Sequence, residues 1–120
     1  MSKIRGIRGA IVASGNRKDA ILSSTKELIM RMIALNKVKT ADIAGIIFSA
    51  TKDLNADFPA NAARKLGLLS VPLLCTNEID VPGSLKKCIR ALMLVNSNKA
   101  QSLIKHVYLG GAKKLRPDLE

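Results

Sequence analysis

Strand-like and helix-like segments interleave along this chain, which predicts an α/β or α+β fold rather than an all-α one. Three observations carry that expectation. An Ile- and Gly-containing run opens the chain at 3–13 (KIRGIRGAIVA), a helical pattern follows to about Asn36, and an apolar run of strand length stands at 43–50 (IAGIIFSA). With 120 residues and 48% hydrophobic side chains, the chain is expected to form a single domain over 1–120 and is too apolar for disorder.

The first strand alternates. Arg5, Ile7, Gly9 and Ile11 share one face, and Ile4, Gly6, Arg8, Ala10 and Val12 share the other. Ser14-Gly15-Asn16 signals a turn, with Asn16 expected to cap a helix whose first turn holds Asp19. In that helix Ile21, Thr25, Leu28, Ile29, Met32 and Leu35 fall on one face, and Glu27 and Arg31 form an outward i,i+4 pair. A polar connection, 37–42, leads to the second strand, and 51–57 reads as a loop. Pro59 in a first turn and Gly67 past a last turn predict a short helix over 59–66. Pro72 demotes 69–76 to an edge or irregular strand, and Pro82-Gly83 marks a loop over 77–84. For 85–95 (LKKCIRALMLV) propensity favours helix, although so short a run fits either element. A helical turn at 98–104, a strand at 106–109 broken by Gly110-Gly111, and a tail complete the chain.

Charge is the abnormal feature: 20 Lys+Arg against 9 Asp+Glu give +11. The excess sits at both ends, with a slightly acidic middle, and implies an anionic partner. Nucleic acid is the usual first thought, but Phe48, Phe58 and Tyr108 are too few aromatics for a base-stacking platform. No apolar run approaches the roughly 20 residues of a membrane helix, and the N-terminus lacks a signal peptide's apolar core. Cys75 and Cys88 form no C-x-x-C and His106 is the lone histidine, so no metal site is expected. Free thiols fit a reducing cytoplasm.

Arginine inside apolar runs is the candidate chemistry. Arg90 in CIRALMLV and Arg8 between Gly6 and Ala10 must meet an anion if buried, because a guanidinium cannot shed its charge. The bland alternatives are a structural salt bridge or a guanidinium that reaches the surface. Glu78, three residues after Cys75, reads alone as a loop acid; Tyr108 as a half-buried core ring; Cys75 and His106 as structural. No Walker loop, G-x-S-x-G or dinucleotide fingerprint is present. What remains is a set of cations suited to clamping a polycarboxylate.

These residues fall into a set of motifs in order: IRGIRGA at 4–10, SAT at 49–51, FPA at 58–60, KKCIR at 86–90, HVYL at 106–109 and LRPDL at 115–119. Together they resemble the trimeric class of chorismate mutase, the monofunctional bacterial type, over residues 3–119. The resemblance implies an α+β fold, a mixed five-stranded sheet packed against helices, with three chains forming a pseudo-α/β barrel. It overrules propensity and makes about 86–96 a strand. It also implies active sites in clefts between subunits. Arg8, Arg90, Tyr108 and Arg116 line the site, Cys75 and Glu78 come from the C-x-x-E step, and a neighbour's FPA helix supplies Phe58 and Arg64. The family often has lysine where this chain has Asn61 and threonine where it has Leu74, and the loop between Arg64 and Val71 is shorter here.

The implied reaction, chorismate to prephenate, is pericyclic and needs no cofactor, metal, proton or nucleophile. An enzyme helps by holding the folded conformer and stabilising charge separation. The resemblance puts Arg90 at the ether oxygen, Arg8 at a carboxylate with Tyr108 nearby, and Glu78 on the ring hydroxyl. Two other readings compete. Trimeric imine-hydrolysing deaminases share the architecture but should lack Arg90 and Glu78 in these contexts; a basic nucleic-acid-binding module has only the +11 in its favour.

Overall fold

A computed structural model describes residues 2–115. Five strands form the central sheet: β1 (Lys3–Val12), β2 (Ile43–Ala50), β3 (Leu73–Asn77), β4 (Cys88–Ser97) and β5 (Val107–Leu109). They lie in the order β3-β2-β4-β1-β5. β4 runs antiparallel to both its neighbours, whereas β2–β3 and β1–β5 are parallel, so the sheet is mixed. Two α-helices, α1 (Lys18–Asn36) and α2 (Ala60–Lys65), and three short 3-10 turns complete the fold.

The period-2 pattern decides which face is covered. Ile7 and Ile11 of β1, Ile46 and Phe48 of β2 and Ile89, Met93 and Val95 of β4 point to one side and are buried with Leu28, Ile29 and Met32 of α1. Gly9 lets α1 come close. A Cβ there would lie 2.6 Å from the Met32 sulfur and 2.9 Å from Leu28 Cδ1. The opposite face carries Arg8, Ala10, Ile47, Ser49, Arg90 and Leu92, and only a small cluster of Ala10, Cys88 and Ala112 is buried there. Much of this face is open: Ile47 and Leu92 are each more than a third exposed, and Leu74 on the edge strand is 60% exposed.

Three expectations are corrected. The segment 85–95 is not a helix: β4 pairs on both sides, so two ladders override its helix propensity, as the family resemblance required. Asn16 does not cap α1. Its Oδ1 accepts the amides of Asn55 and Ala56 at 2.9 and 3.0 Å, tying the turn to a distant loop, while Arg17 occupies the cap position without a side-chain bond. Leu35 is 44% exposed, and the buried stripe of α1 ends instead on Asn36. That side chain is satisfied by the Lys105 carbonyl at 2.9 Å and the Lys105 amide at 2.8 Å. Pro72 does precede an edge strand, as expected.

Candidate active site

The register of the sheet assembles the site. Ser49 is paired with Arg90, Arg90 with Ala10, and Ala10 with Tyr108, so the four stand in one row across β2, β4, β1 and β5. Ala10 in the middle of that row adds almost no bulk between Arg90 and Tyr108. Arg8 is two residues along β1 from Ala10 and therefore faces the same way. These side chains, with Ile47, Leu92 and Leu115, line an open hollow of about 330 Å³.

Glu78 joins this group from beyond the end of β3. Its amide bonds the Ala50 carbonyl at 3.0 Å, which carries the chain past β2. Its Oε2 then accepts from Ser49 Oγ at 2.7 Å and pairs with Arg90 Nε at 3.2 Å. The Arg90 side chain is 46% exposed: Glu78 pairs with its Nε, the Cys88 thiol is hydrogen-bonded to it, and its exposed part borders the hollow. Arg90 therefore has a protein anion as partner, and also a solvent-facing side.

The start of β4, and hence the place of Arg90, is clamped from the loop after β2. Thr51 Oγ1 accepts the Cys88 amide at 3.0 Å and donates to Asp53, whose carboxylate accepts the Lys87 amide at 2.9 Å. Burial works against the charged form of Asp53, but these hydrogen bonds outweigh it and hold its carboxyl below the usual range. Lys87 itself has φ 52°, a left-handed conformation that the clamp helps to hold. Burial pushes the Cys88 thiol up, against the pull of the Arg90 cation beside it. At the other end of the site, His106 Nδ1 accepts the Arg8 amide at 2.9 Å, where β5 meets β1.

The remaining predicted residues lie elsewhere. Phe58 and Cys75 line a different hollow, about 450 Å³, with Asp57 and Thr76. Cys75 lies opposite Phe48 in the ladder and packs half-buried against the main core, so the two ends of the C-x-x-E step part company. Phe58 is 65% exposed. Arg64 is exposed two turns further along, on α2, and donates to Asn61 Oδ1 at 2.6 Å. Arg116 lies outside the described residues. Ser49 was not singled out from the sequence as a site residue. Its signal was a lone hydroxyl on the open face of an otherwise apolar strand. Among the described residues no group of three His, Cys, Asp or Glu side chains could hold a metal ion, and no helix is long and apolar enough to cross a membrane.

Two cations, a phenol and a hydroxyl line one open hollow, and the Glu78 carboxylate reaches two of them, Arg90 and Ser49; among the described residues this makes an anion site with no activated nucleophile. The family model for chorismate mutase type I matches residues 4–119. This chain belongs to the type I chorismate mutase family. It is 46% identical over 118 residues to the chorismate mutase AroH of Thermus thermophilus, covering 98% of this chain and 97% of that one. To chorismate mutase AroH of Bacillus subtilis (strain 168) it is 47% identical over 117 residues, 97% and 92% of the two chains. A solved chorismate mutase from Clostridium thermocellum superposes with a TM-score of 0.90 at 53% identity, covering 91% of this chain and 97% of that one.

For a type I chorismate mutase the absence of a catalytic dyad from the cluster is no difficulty, because the rearrangement transfers no proton and forms no covalent intermediate. The family match over nearly the whole chain also sets aside the imine deaminase and nucleic-acid-binding readings. The small-molecule substrate class that follows is consistent with the cationic hollow.

Proposed function

We propose that chorismate rearranges to prephenate in a cleft shared by two copies of this chain. One copy supplies Arg8, Glu78, Arg90 and Tyr108, with Ser49 behind them; its neighbour supplies Phe58, Arg64 and Cys75. Three copies then close a cyclic homotrimer with three clefts, each a pseudo-α/β-barrel partner of the next, and residues 1–120 act as one catalytic domain.

The observation that supports this reading is the separation, in a single chain, of the open hollow lined by Arg8, Arg90 and Tyr108 from the one lined by Phe58 and Cys75. Each hollow is bordered by apolar side chains that a lone chain leaves in water, Ile47 and Leu92 at the first and Phe58 at the second. In a cyclic trimer one neighbour would cover the first hollow and the other neighbour the second.

The chemistry follows from the first hollow. Chorismate brings two carboxylates, and as its C–O bond breaks, negative charge grows on the ether oxygen. Arg90, paired at Nε with Glu78, presents its exposed part to that oxygen and is worth more to the transition state than to the ground state. Arg8 takes a carboxylate, with Tyr108 beside it, and Arg116, outside the described residues, belongs to the substrate-binding set on the family resemblance alone. Glu78 accepts from the ring hydroxyl and opposes positive charge developing on the ring. Phe58 and Arg64 from the neighbour hold the compact conformer and the remaining carboxylate. The two free thiols support a cytoplasmic location.

The test is complementation. Arg90→Ala and Phe58→Ala chains are each purified, mixed in equal amounts, unfolded and refolded together. In random cyclic assemblies about a quarter of clefts receive both intact halves, so activity should return to about a quarter of wild type. Light scattering should give three chain masses. No recovery from a refolded mixture, or a monomer mass at assay concentration, overturns the shared cleft.

A further inference from the structure

The turn that opens α2 holds a chain of hydrogen bonds with no part in the account so far. Asp57 Oδ1 accepts the Phe58 amide at 2.7 Å and Asn61 Nδ2 at 2.7 Å. Asn61 Oδ1 in turn accepts Arg64 Nη1 at 2.6 Å. Asn61 and Arg64, three residues apart on α2, are neighbours on one side of the short helix, and Phe58 stands just before its cap. We propose that Asp57 and Asn61 are positioning residues that hold the Arg64 guanidinium in one place and so set the affinity of the second half-site for the substrate carboxylate. The inference rests on the shared-cleft reading above.

Three features point to positioning rather than to local structure alone. First, the Asn61 amide is used at both ends, donor to a carboxylate and acceptor from a guanidinium. Only one orientation of the amide satisfies both partners, so its direction is set by Asp57. Second, Asp57 is a costly way to satisfy one amide. Its Oδ2 is enclosed and accepts no hydrogen bond from the described residues. A serine would satisfy the Phe58 amide without stranding an oxygen; the aspartate adds a strong, charged acceptor for Asn61. The Phe58 amide, then Asn61 with Lys18 and Lys65 at longer range, hold the Asp57 carboxyl below its usual range against partial burial, so the acceptor is charged at neutral pH. Third, Asp57 and Phe58 line the same hollow, so the relay begins at its wall and runs through Asn61 to the exposed Arg64 guanidinium just beyond it.

An arginine free on a helix surface loses rotamer freedom when it takes a ligand, whereas one already held by Asn61 has less to lose. Arg64 would meet a carboxylate that is present in ground state and transition state alike, so the relay should act on KM and leave kcat alone.

The experiment is steady-state kinetics on chorismate with Asn61→Ala, Asp57→Ala, Asp57→Asn, Arg64→Ala and the Asn61→Ala/Arg64→Ala pair, each checked for wild-type circular dichroism. Asn61→Ala and Asp57→Ala should each raise KM about three- to tenfold, the factor that ordering one rotamer-rich side chain is worth. Their kcat should stay within about twofold of wild type, as for loss of uniform binding. Asp57→Asn keeps an acceptor for Asn61 and should restore most of the affinity. In the Arg64→Ala background, Asn61→Ala should change nothing further. An unchanged KM in Asn61→Ala, a loss taken in kcat, or the same loss with Arg64 already removed overturns the relay while leaving the shared cleft intact. A wild-type chain that leaves chorismate unconverted overturns the underlying reading and the relay with it.

Discussion

Replacing Arg90 by alanine should separate catalysis from stability. The side chain is nearly half exposed, and its protein partner, Glu78, keeps the Ser49 hydroxyl at 2.7 Å when the guanidinium is gone. No charge is stranded, so the folded state loses only a half-exposed ion pair worth ~0–1 kcal/mol. That shifts Tm by about 5 °C at most in a domain of this size. The reaction loses far more. A unit charge about 4 Å from a developing anion is worth about 4 kcal/mol at an effective dielectric of about 20, close to the ~2.7–4 kcal/mol measured for losing a single oxyanion donor. The drop in kcat should therefore be roughly 10²–10³-fold. Arg90→Lys returns a point charge without the fork that reaches Glu78 and the ether oxygen together, and should recover only part. The assay follows the loss of chorismate absorbance at saturating substrate, beside thermal melts by circular dichroism. A folded Arg90→Ala chain with near-normal kcat would refute the electrostatic mechanism.

Glu78→Gln keeps an acceptor for Ser49 but removes the charge facing the ring, so kcat should fall about tenfold or more with a smaller change in KM; an unaltered kcat would remove Glu78 from the mechanism. Gly9→Ala drives a methyl to 2.6 Å from the Met32 sulfur and 2.9 Å from Leu28, and should cost about 1–3 kcal/mol in urea unfolding. A midpoint equal to wild type would show that α1 can step back freely. Asp53 has a depressed folded pKa, so the stability it contributes is present above the unfolded value of 3.8 and is lost as pH falls through the lower folded value. The gap in stability between wild type and Asp53→Asn should be full at neutral pH and close only below about pH 4; a gap independent of pH would mean that the clamp on Lys87 does not depend on the carboxylate charge.

What could be read from the sequence, and what could not, follows from the range of the interactions concerned. β1 and α1 were legible because each carries its own period, Ile7, Gly9 and Ile11 at every second position and Ile21, Leu28, Ile29 and Met32 along one helix face, and β2 because it is a continuous apolar run of strand length. β4 was not, because Leu, Met, Ala and Lys favour helix and its strand state comes from ladders to β1 and β2, more than thirty residues away on either count. Asn16 was misread for the same reason. A short amide takes whichever donors the fold brings to it, and here they are Asn55 and Ala56. At the site, Arg8 and Arg90 stood out locally as cations in apolar runs, and Glu78, Tyr108, Phe58, Arg64 and Cys75 came only through family resemblance.

The arrangement of the residues on the open face of the sheet is set by register. Nothing near Ser49 says that it will stand beside Arg90, or near Ala10 that its small side chain will separate Arg90 from Tyr108; the pairing of four strands decides both. The same register explains why Cys75 and Glu78, three residues apart, serve different hollows. Cys75 is still inside the β3 ladder and points to the core, whereas Glu78 has left it and bends across the Ala50 carbonyl to the open face. A one-residue slip of β4 would turn Arg90 into the core and Ile89 to the hollow. The buried row of Ile89, Met93 and Val95 forbids that slip, so the apolar pattern that stabilises the sheet also fixes the direction of the guanidinium.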